Sequence, residues 1–459
     1  MSLDAKKCIN KIGVVFKTTD KIPIDYRYPQ GVFPPSTPFI VQSITETSSD
    51  TLYINYWTKD GQAKAAYIPQ TFQLTIVRGK LKNELLEEYL KYQLNNIHTV
   101  LYNKAITATG SDPEIFVENK DGSLIPAFTF LGSKASPNFT LPDMRAGQND
   151  GAKKVYWDGF QAEFETYPHS CLSWQVDSVQ AGMKAVLRLA RLKFPDAKLS
   201  SRTVFEIPDQ LLRESNDEHV NFGCMPSKNV YGMKGVDVPG RELPFRSAGG
   251  HIHFGLHDQY KSDKQIVGMV KTLDAILGVA CVSLFAKFDD PRRRRFYGMA
   301  GEYRTPQHGM EYRVLSNAWM IHPLIQNLVF DVARKCVALS VNNMFSLWKV
   351  DEKEVIKCIN DCDVIKAQEI LERNKELFVK MIGSCYRGAD TGVNNHIDDN
   401  KVAESLFNIF KNGLETIIAN PNDLHKNWNL DDTWRTHSGG VGKYISISKE
   451  TIVAGQKVA

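Results

Sequence analysis

Four short segments of the chain each set two polar or charged residues at positions i and i+2. They are Asp112 and Glu114 in GSDPEIFVEN, Glu163 and Glu165 in GFQAEFETYP, His251 and His253 in SAGGHIHFGL, and Glu311 and Arg313 in HGMEYRVLSN. On a β-strand, residues so spaced point to one side. If the four segments are strands of one sheet, a single face carries carboxylates, imidazoles and a guanidinium. Burying such groups unpaired costs several kcal/mol each, on the order of what a whole domain has to spare. Packing does not account for them; binding a divalent metal and an anionic ligand does.

Each pair has its own chemistry. Carboxylates at the start of a core strand, as at Asp112 and Glu114, offer oxygen ligands to a hard cation. Glu163 and Glu165 flank Phe164, so the aromatic ring faces a core and the carboxylates the other side. Adjacent carboxylates repel unless a cation or an arginine neutralises them. His-x-His on a strand is a common metal-ligand arrangement, and the glycines around His251 and His253 allow close backbone approach. Arg292, Arg293, Arg294 and Arg295 run together, and with Arg304 and Arg313 they place six arginines between 292 and 313. Near carboxylates and histidines, such a run reads as a polyphosphate clamp, because guanidinium matches phosphate oxygens two at a time. No Walker loop and no G-x-G-x-x-G occurs, so any nucleotide is held without a glycine loop at a helix start.

The elements that must position these groups follow from pattern. Residues 1–80 alternate β-branched and aromatic residues between polar turns, as in KIGVVFK, PFIVQSITET and TLYINYWTK, and predict a small β-rich domain, a barrel or sandwich. Residues 81–104 have leucines and tyrosines at helical spacing and predict a connecting helix. Residues 105–345 hold all four pairs. Asp121-Gly122 and Asp158-Gly159 lie between strand-like runs and predict hairpins, hence a largely antiparallel sheet. Helical patterns over about 172–193, 263–288 and 317–342 predict an α+β layer, with helices on one sheet face and the polar groups on the other. Residues 346–459 read as a helical region completing or extending the core, ending in a short VGKYISISK strand. The loops 132–152 and 222–246 are where substrate identity would be read, with Arg241 and Arg246 as carboxylate binders.

Composition narrows the class. The chain has 459 residues, with 56 Lys plus Arg against 52 Asp plus Glu, a net charge of +4. Spread over this length, that balance does not argue for nucleic acid. The longest apolar run, Ala275 to Ala286, is too short for a bilayer and predicts a buried helix rather than a membrane span. No apolar signal region opens the sequence, so a cytoplasmic location is expected. The eight cysteines show no C-x-x-C and no zinc-finger spacing; reduced thiols are expected, Cys358 and Cys362 on one helix.

The ordered motifs G-x-D-x-E, D-G-x-x-x-E-x-E, G-G-H-I-H-F-G, Y-G-x-x-G-E-Y-R and E-Y-R-x-x-S-N-x-W, over roughly residues 107–330, resemble the phage-encoded COOH–NH2 ligase (amidoligase) family of the glutamine synthetase and glutamate–cysteine ligase superfamily. The resemblance implies a glutamine synthetase-like core whose antiparallel sheet has a polar concave face. It implies an ATP-dependent carboxylate–amine ligase acting through an acyl phosphate, with Mg2+ or Mn2+. Asp112, Glu114, Glu163, Glu165, His253 and Glu311 would then hold metal. Arg304, Arg313 and Glu311 would be catalytic, and His251 with Arg292–Arg295 would bind the cofactor. Its substrates would be small-molecule or peptide carboxylates and amines, in a host cytoplasm if phage-encoded. A homo-oligomer and a protein partner for the N-terminal β domain are compatible with it. Two other readings compete: a metal-dependent hydrolase using His-x-His, which predicts alternating βα units and a parallel sheet, and a non-enzymatic phage structural protein on a ligase-derived fold.

Overall fold

The computed structural model describes residues 2–8, 14–18, 37–48, 50–59, 63–95, 97, 105–138, 154–221, 227–236, 238–383, 400–416, 418 and 420–431. The chain forms two compact units, residues 1–100 with 342–348, and residues 101–341 with 349–459.

The first unit is β-rich. Strands β1 (Ser2–Asp4), β2 (Val15–Lys17), β3 (Phe39–Glu46), β4 (Thr51–Thr58), β5 (Ala63–Pro69) and β6 (Gln73–Ile76) pair antiparallel in the order β1-β6-β2-β3-β4-β5. Alternation serves both faces of this sheet. Phe16, Phe39, Leu52, Ile54, Tyr56 and Ile68 fill one core. Their neighbours Val15, Ile40 and Trp57 pack on Leu85 and Tyr89 of helix α1 (Lys80–Asn95). Among the described residues these strands form one open sheet where a barrel or sandwich was expected. The rest of the expected 81–104 helix, apart from Ile97, lies outside the described residues.

The second unit is built on antiparallel pairs. Strands β7 (Ile106–Ser111), β8 (Glu114–Ile115), β9 (Val117–Glu118), β10 (Leu124–Ile125), β11 (Lys154–Asp158), β12 (Gln161–Glu165), β13 (Lys198–Leu199), β14 (Val204–Glu206), β15 (Lys228–Asn229), β16 (Phe245–Ser247), β17 (Ile252–Leu256), β18 (Glu302–Arg304) and β19 (Gly309–Tyr312) follow in order. The main sheet is β15-β18-β19-β17-β7, with β11-β12-β8 beside it. The segment after β12 joins the two: Thr166 N–H donates to Ser111 O at 2.9 Å, and Thr109 bridges His169. Small sheets β10-β9-β13 and β14-β16 complete the unit. Every strand pair among the described residues is antiparallel, which removes the parallel sheet that the hydrolase reading requires.

Both expected hairpins form, β9–β10 around Gly122 and β11–β12 around Gly159, and both glycines have positive φ. Asp158, however, pairs with Gln161 as the last residue of β11. The turn is Gly159-Phe160, with positive φ at its first position alone, as a type II′ hairpin requires. Asp158 is a strand residue, not a turn residue.

Helices cover the back of the sheets. Helix α2 (Leu172–Arg191) lies on β12 so closely that a Cβ at Gly182 would fall 2.1 Å from the Phe164 ring. Helices α3 (Asp263–Leu273) and α4 (Val279–Leu284) are one rod joined by a π-helical turn, Asp274–Gly278. Residues Asp263–Leu284 are long and apolar enough to cross a membrane, but the rod is mostly buried within the fold. Helices α5 (Pro323–Val341), α6 (Glu352–Asn360), α7 (Val364–Arg373), α8 (Lys375–Gly383) and α9 (Asn400–Asn412) follow. The architecture is α+β, after a β-rich unit, as the sequence leads one to expect. Cys358 lies on α6, while Cys362 follows it with φ of +50°; Cys8, Cys171, Cys281, Cys336, Cys358 and Cys362 are free thiols. The expected VGKYISISK strand lies outside the described residues.

Candidate active site

Register brings the polar pairs together. On β17, Ile252 and Phe254 are fully buried, so His251 and His253 face the opposite side. His253 pairs with Glu311 across β17–β19, and Arg304 with Glu311 across β18–β19. Arg313 N–H donates to Glu302 O at 3.1 Å. Glu302, Arg304, Glu311 and Arg313 thus share one face. In the neighbouring sheet Glu163 pairs with both Glu114 and Tyr156, which aligns Tyr156, Asp158, Gln161, Glu163 and Glu165 on one side by the two-residue period of a strand.

Two groups of ligand atoms result, each with all atoms within 4.8 Å of one another: Asp112, His253 and Glu311, and Glu114, Asp158 and Glu163. In the first, Asp112 Oδ1 lies 2.9 Å from His253 Nε2 and 3.3 Å from His251 Nδ1. His251 Nδ1 is also 3.3 Å from Glu311, while its Nε2 meets the Tyr297 hydroxyl. Arg313 is almost fully buried; it contacts Glu311 and donates to Tyr297 Oη at 2.7 Å. Arg304 Nη1 stands 3.7 Å from Glu311. In the second, Glu114 accepts from Gly249 N–H at 2.6 Å and Gln161 Nε2 at 3.3 Å. Glu163 accepts from Tyr156 Oη at 2.6 Å, with Lys134 Nζ at 3.6 Å.

The electrostatics of the two groups differ. Burial works against the Asp112 charge, but the imidazoles of His253 and His251 outweigh it and hold that carboxyl well below the usual range. Burial, and then the Asp158 charge, push Glu114 up to about 7. Burial, Asp112 and Asp158 push Glu163 far above the usual range. His251 is lowered to about 4 by burial and then by Arg313. Burial also opposes charge on His253, yet Asp112 raises it. Three carboxylates gathered this closely offer the oxygen donors that a hard divalent cation takes; two carboxylates with an imidazole also suit Mn2+.

The structure does not gather every expected residue. Glu165 is half-buried in register with Lys154 and belongs to neither group. The basic run divides. Arg292 is exposed and paired with Asp290 and Glu206. Arg293 and Arg294 are buried, and their Nη groups donate to protein acceptors: Arg293 to Val314 O at 2.9 Å and Leu315 O at 2.7 Å, Arg294 to Asp289 at 3.0 Å and to Gly298 O and Val314 O. Arg295 is exposed. The run fastens the strand that carries Arg313 rather than forming an open clamp. Arg241 is likewise bound to Asp217, and Arg246 to four backbone carbonyls; neither guanidinium is a free carboxylate binder.

Pattern reading passed over three acidic or basic groups. Asp158 was hidden in an Asp-Gly turn signal. Glu302, raised by burial despite the Gly298 N–H it accepts, repeats the i, i+2 pattern with Arg304. His308 sits at the β18–β19 turn, with its Nε2 3.2 Å from His253 Nδ1. A cavity of about 540 Å³ opens beside these groups, lined by Glu114, Asp158, Glu302 and Arg313 at a polar end and by Val236, Phe245 and Phe296 at an apolar one. Its volume is within the range of small-molecule sites.

Residues 227–387 match the family described as phage phiEco32-like COOH-NH2 ligase type 2. Over this segment the chain is similar to the phage amidoligase family. The family is named for joining a carboxylate to an amine, which supports a ligase function. The matched segment contains His251, His253, Glu302, Arg304, Glu311 and Arg313, and begins well after Asp112, Glu114, Asp158 and Glu163. No curated protein matches the chain.

Proposed function

We propose that this protein joins a small-molecule or peptide carboxylate to an amine at the expense of ATP, with two divalent cations, Mg2+ or Mn2+. The γ-phosphoryl group leaves ADP and bonds to a carboxylate oxygen; the amine nitrogen then attacks the acyl carbon, phosphate departs, and the amine loses a proton. The observation that carries this reading is the pair of three-ligand groups on one side of contiguous antiparallel sheets, beside a cavity of small-molecule size that Glu114 and Asp158 of one group line together with Arg313.

Asp112, His253 and Glu311 would hold one cation, and Glu114, Asp158 and Glu163 the other. Bound there, the cations supply charge neutralisation and alignment of phosphoryl oxygens. The protein's own part is positional. Tyr156 and Gln161 orient the carboxylates, Tyr297 braces Arg313 and His251, and Arg313 with Arg304 directs positive charge where phosphoryl charge develops. The apolar end of the cavity suits a planar base or an apolar substrate group and excludes water from the reacting atoms.

The test is release of ADP and phosphate from ATP with Mg2+ or Mn2+ across amino acids, polyamines and peptides. Turnover that depends on an added acid, and is abolished by Glu163→Gln and Arg313→Lys, is the expected result. Wild-type protein that binds neither nucleotide nor divalent cation would sink the proposal.

A further inference from the structure

A histidine that ligates a metal through one ring nitrogen ordinarily donates the N–H of the other to a fixed acceptor, which sets tautomer and ring orientation. His253 turns Nε2 toward Asp112 at 2.9 Å, inside the ligand group. Its Nδ1 points the other way, to His308 Nε2 at 3.2 Å. His308 is held independently of this contact. Its carbonyl accepts the Leu256 N–H of β17 at 2.9 Å. The next residue, Gly309, has φ of +150°, and a Cβ there would lie 2.4 Å from Phe254 O. The β18–β19 turn is therefore pressed onto β17 by a glycine and a backbone hydrogen bond, and it delivers one imidazole against another.

We propose that His308 is a positioning residue for the cation held by Asp112, His253 and Glu311. This rests on the ligase reading above, in which that group binds metal. His253 carries its proton on Nδ1 and donates it to the Nε2 lone pair of His308. The His253 Nε2 lone pair is thereby presented to the cation. His308 faces the far side of the His253 ring and stands outside the three-ligand group, so it acts through His253 and not as a fourth ligand. Among the described residues the Glu114, Asp158 and Glu163 group includes no imidazole, so the effect of His308 is confined to one of the two sites.

Mn2+ binding, followed by calorimetry and by the electron paramagnetic resonance of free Mn2+, tests this in the wild type, His308→Phe and His308→Gln. Phenylalanine fills the space without accepting a hydrogen bond; the glutamine amide oxygen can accept one. The expected result is two Mn2+ sites in the wild type, one of them weakened by about 10- to 100-fold in His308→Phe, with recovery toward wild type in His308→Gln and the second site unchanged. Nitrogen-15 shifts of the His253 ring should show Nδ1 protonated in the Mg2+-loaded wild type. Two wild-type sites in His308→Phe, or a His253 ring protonated on Nε2 when loaded, overturn this inference and leave the ligase reading standing. A wild type that binds no cation overturns both.

Discussion

Glu114 and Glu163 face each other across β8 and β12, and Asp158 adds a third carboxylate within 4.8 Å. Like charges so placed destabilise the metal-free protein, and Glu114 is raised to about 7 by burial and by Asp158 in particular. Asp158→Asn should therefore raise the metal-free melting temperature while shrinking the upward shift that Mn2+ produces; thermal melts with and without Mn2+ measure both. A variant with the wild-type Mn2+ shift would remove Asp158 from the ligand set. Arg313 is coupled the other way. It meets the buried Glu311 carboxylate, and Arg313→Ala would leave that charge poorly compensated. Breaking a buried pair costs about 3–5 kcal/mol, so the urea midpoint should fall steeply, whereas Arg313→Lys should keep most of the stability and lose the contact with Tyr297. At this scale the sequence was informative where spacing carried the signal. Asp112, Glu114, Glu163, His251, His253, Glu311 and Arg313 do meet. It was uninformative where the partner decides the role: nothing in R-R-R-R shows that Arg293 and Arg294 will end on backbone carbonyls.

Elements bring those residues together, and one contact between elements is unusually close. Phe164 lies between Glu163 and Glu165 on β12, and its ring occupies the space where Gly182 of α2 lacks a side chain. The clash is with the ring edge from Cγ to Cε2 and the ring is fully buried, so Gly182→Ala must displace it into packed surroundings. Overpacking of this kind costs about 1–3 kcal/mol. The strand that moves is the one that carries Glu163. The expected outcome is a lower urea midpoint together with weaker Mn2+ binding, whereas a substitution felt only by the helix would lower the midpoint alone. Helix positions and both hairpins were legible from periodicity and Asp-Gly, because local physics specifies them. The π-helical turn at Asp274–Gly278 was not, since helical spacing runs through it unbroken and the extra residue depends on what packs beneath.

At the scale of the whole molecule, every candidate ligand falls in the second unit, and Asp274 is a fully buried carboxyl outside both ligand groups. It is fully buried in that π-helical turn, accepting from Tyr312 Oη at 2.7 Å. Tyr312 lies between Glu311 and Arg313, so this carboxyl ties the helical rod to the strand that bears the site. Burial outweighs the hydrogen bonds from Tyr312, Tyr231 and Gly301 and pushes Asp274 up to about 7. In the unfolded chain an aspartate titrates near about 3.9. The folded state therefore binds the proton more tightly, and its stabilisation is complete below about pH 4 and lost as pH rises to 7. Asparagine at this position cannot ionise and keeps a hydrogen-bond acceptor for Tyr312. Relative to Asp274→Asn, wild-type stability should fall by on the order of 1 kcal/mol per pH unit between pH 5 and 7. Glu114, Glu163 and Glu302 are raised in the same direction, but both proteins contain them, so they cancel in the difference. Urea unfolding of the pair at pH 5, 6 and 7 measures it. Parallel curves would mean that Asp274 titrates as an exposed carboxylate and that the rod is not fastened to the Glu311–Arg313 strand through a protonated acid.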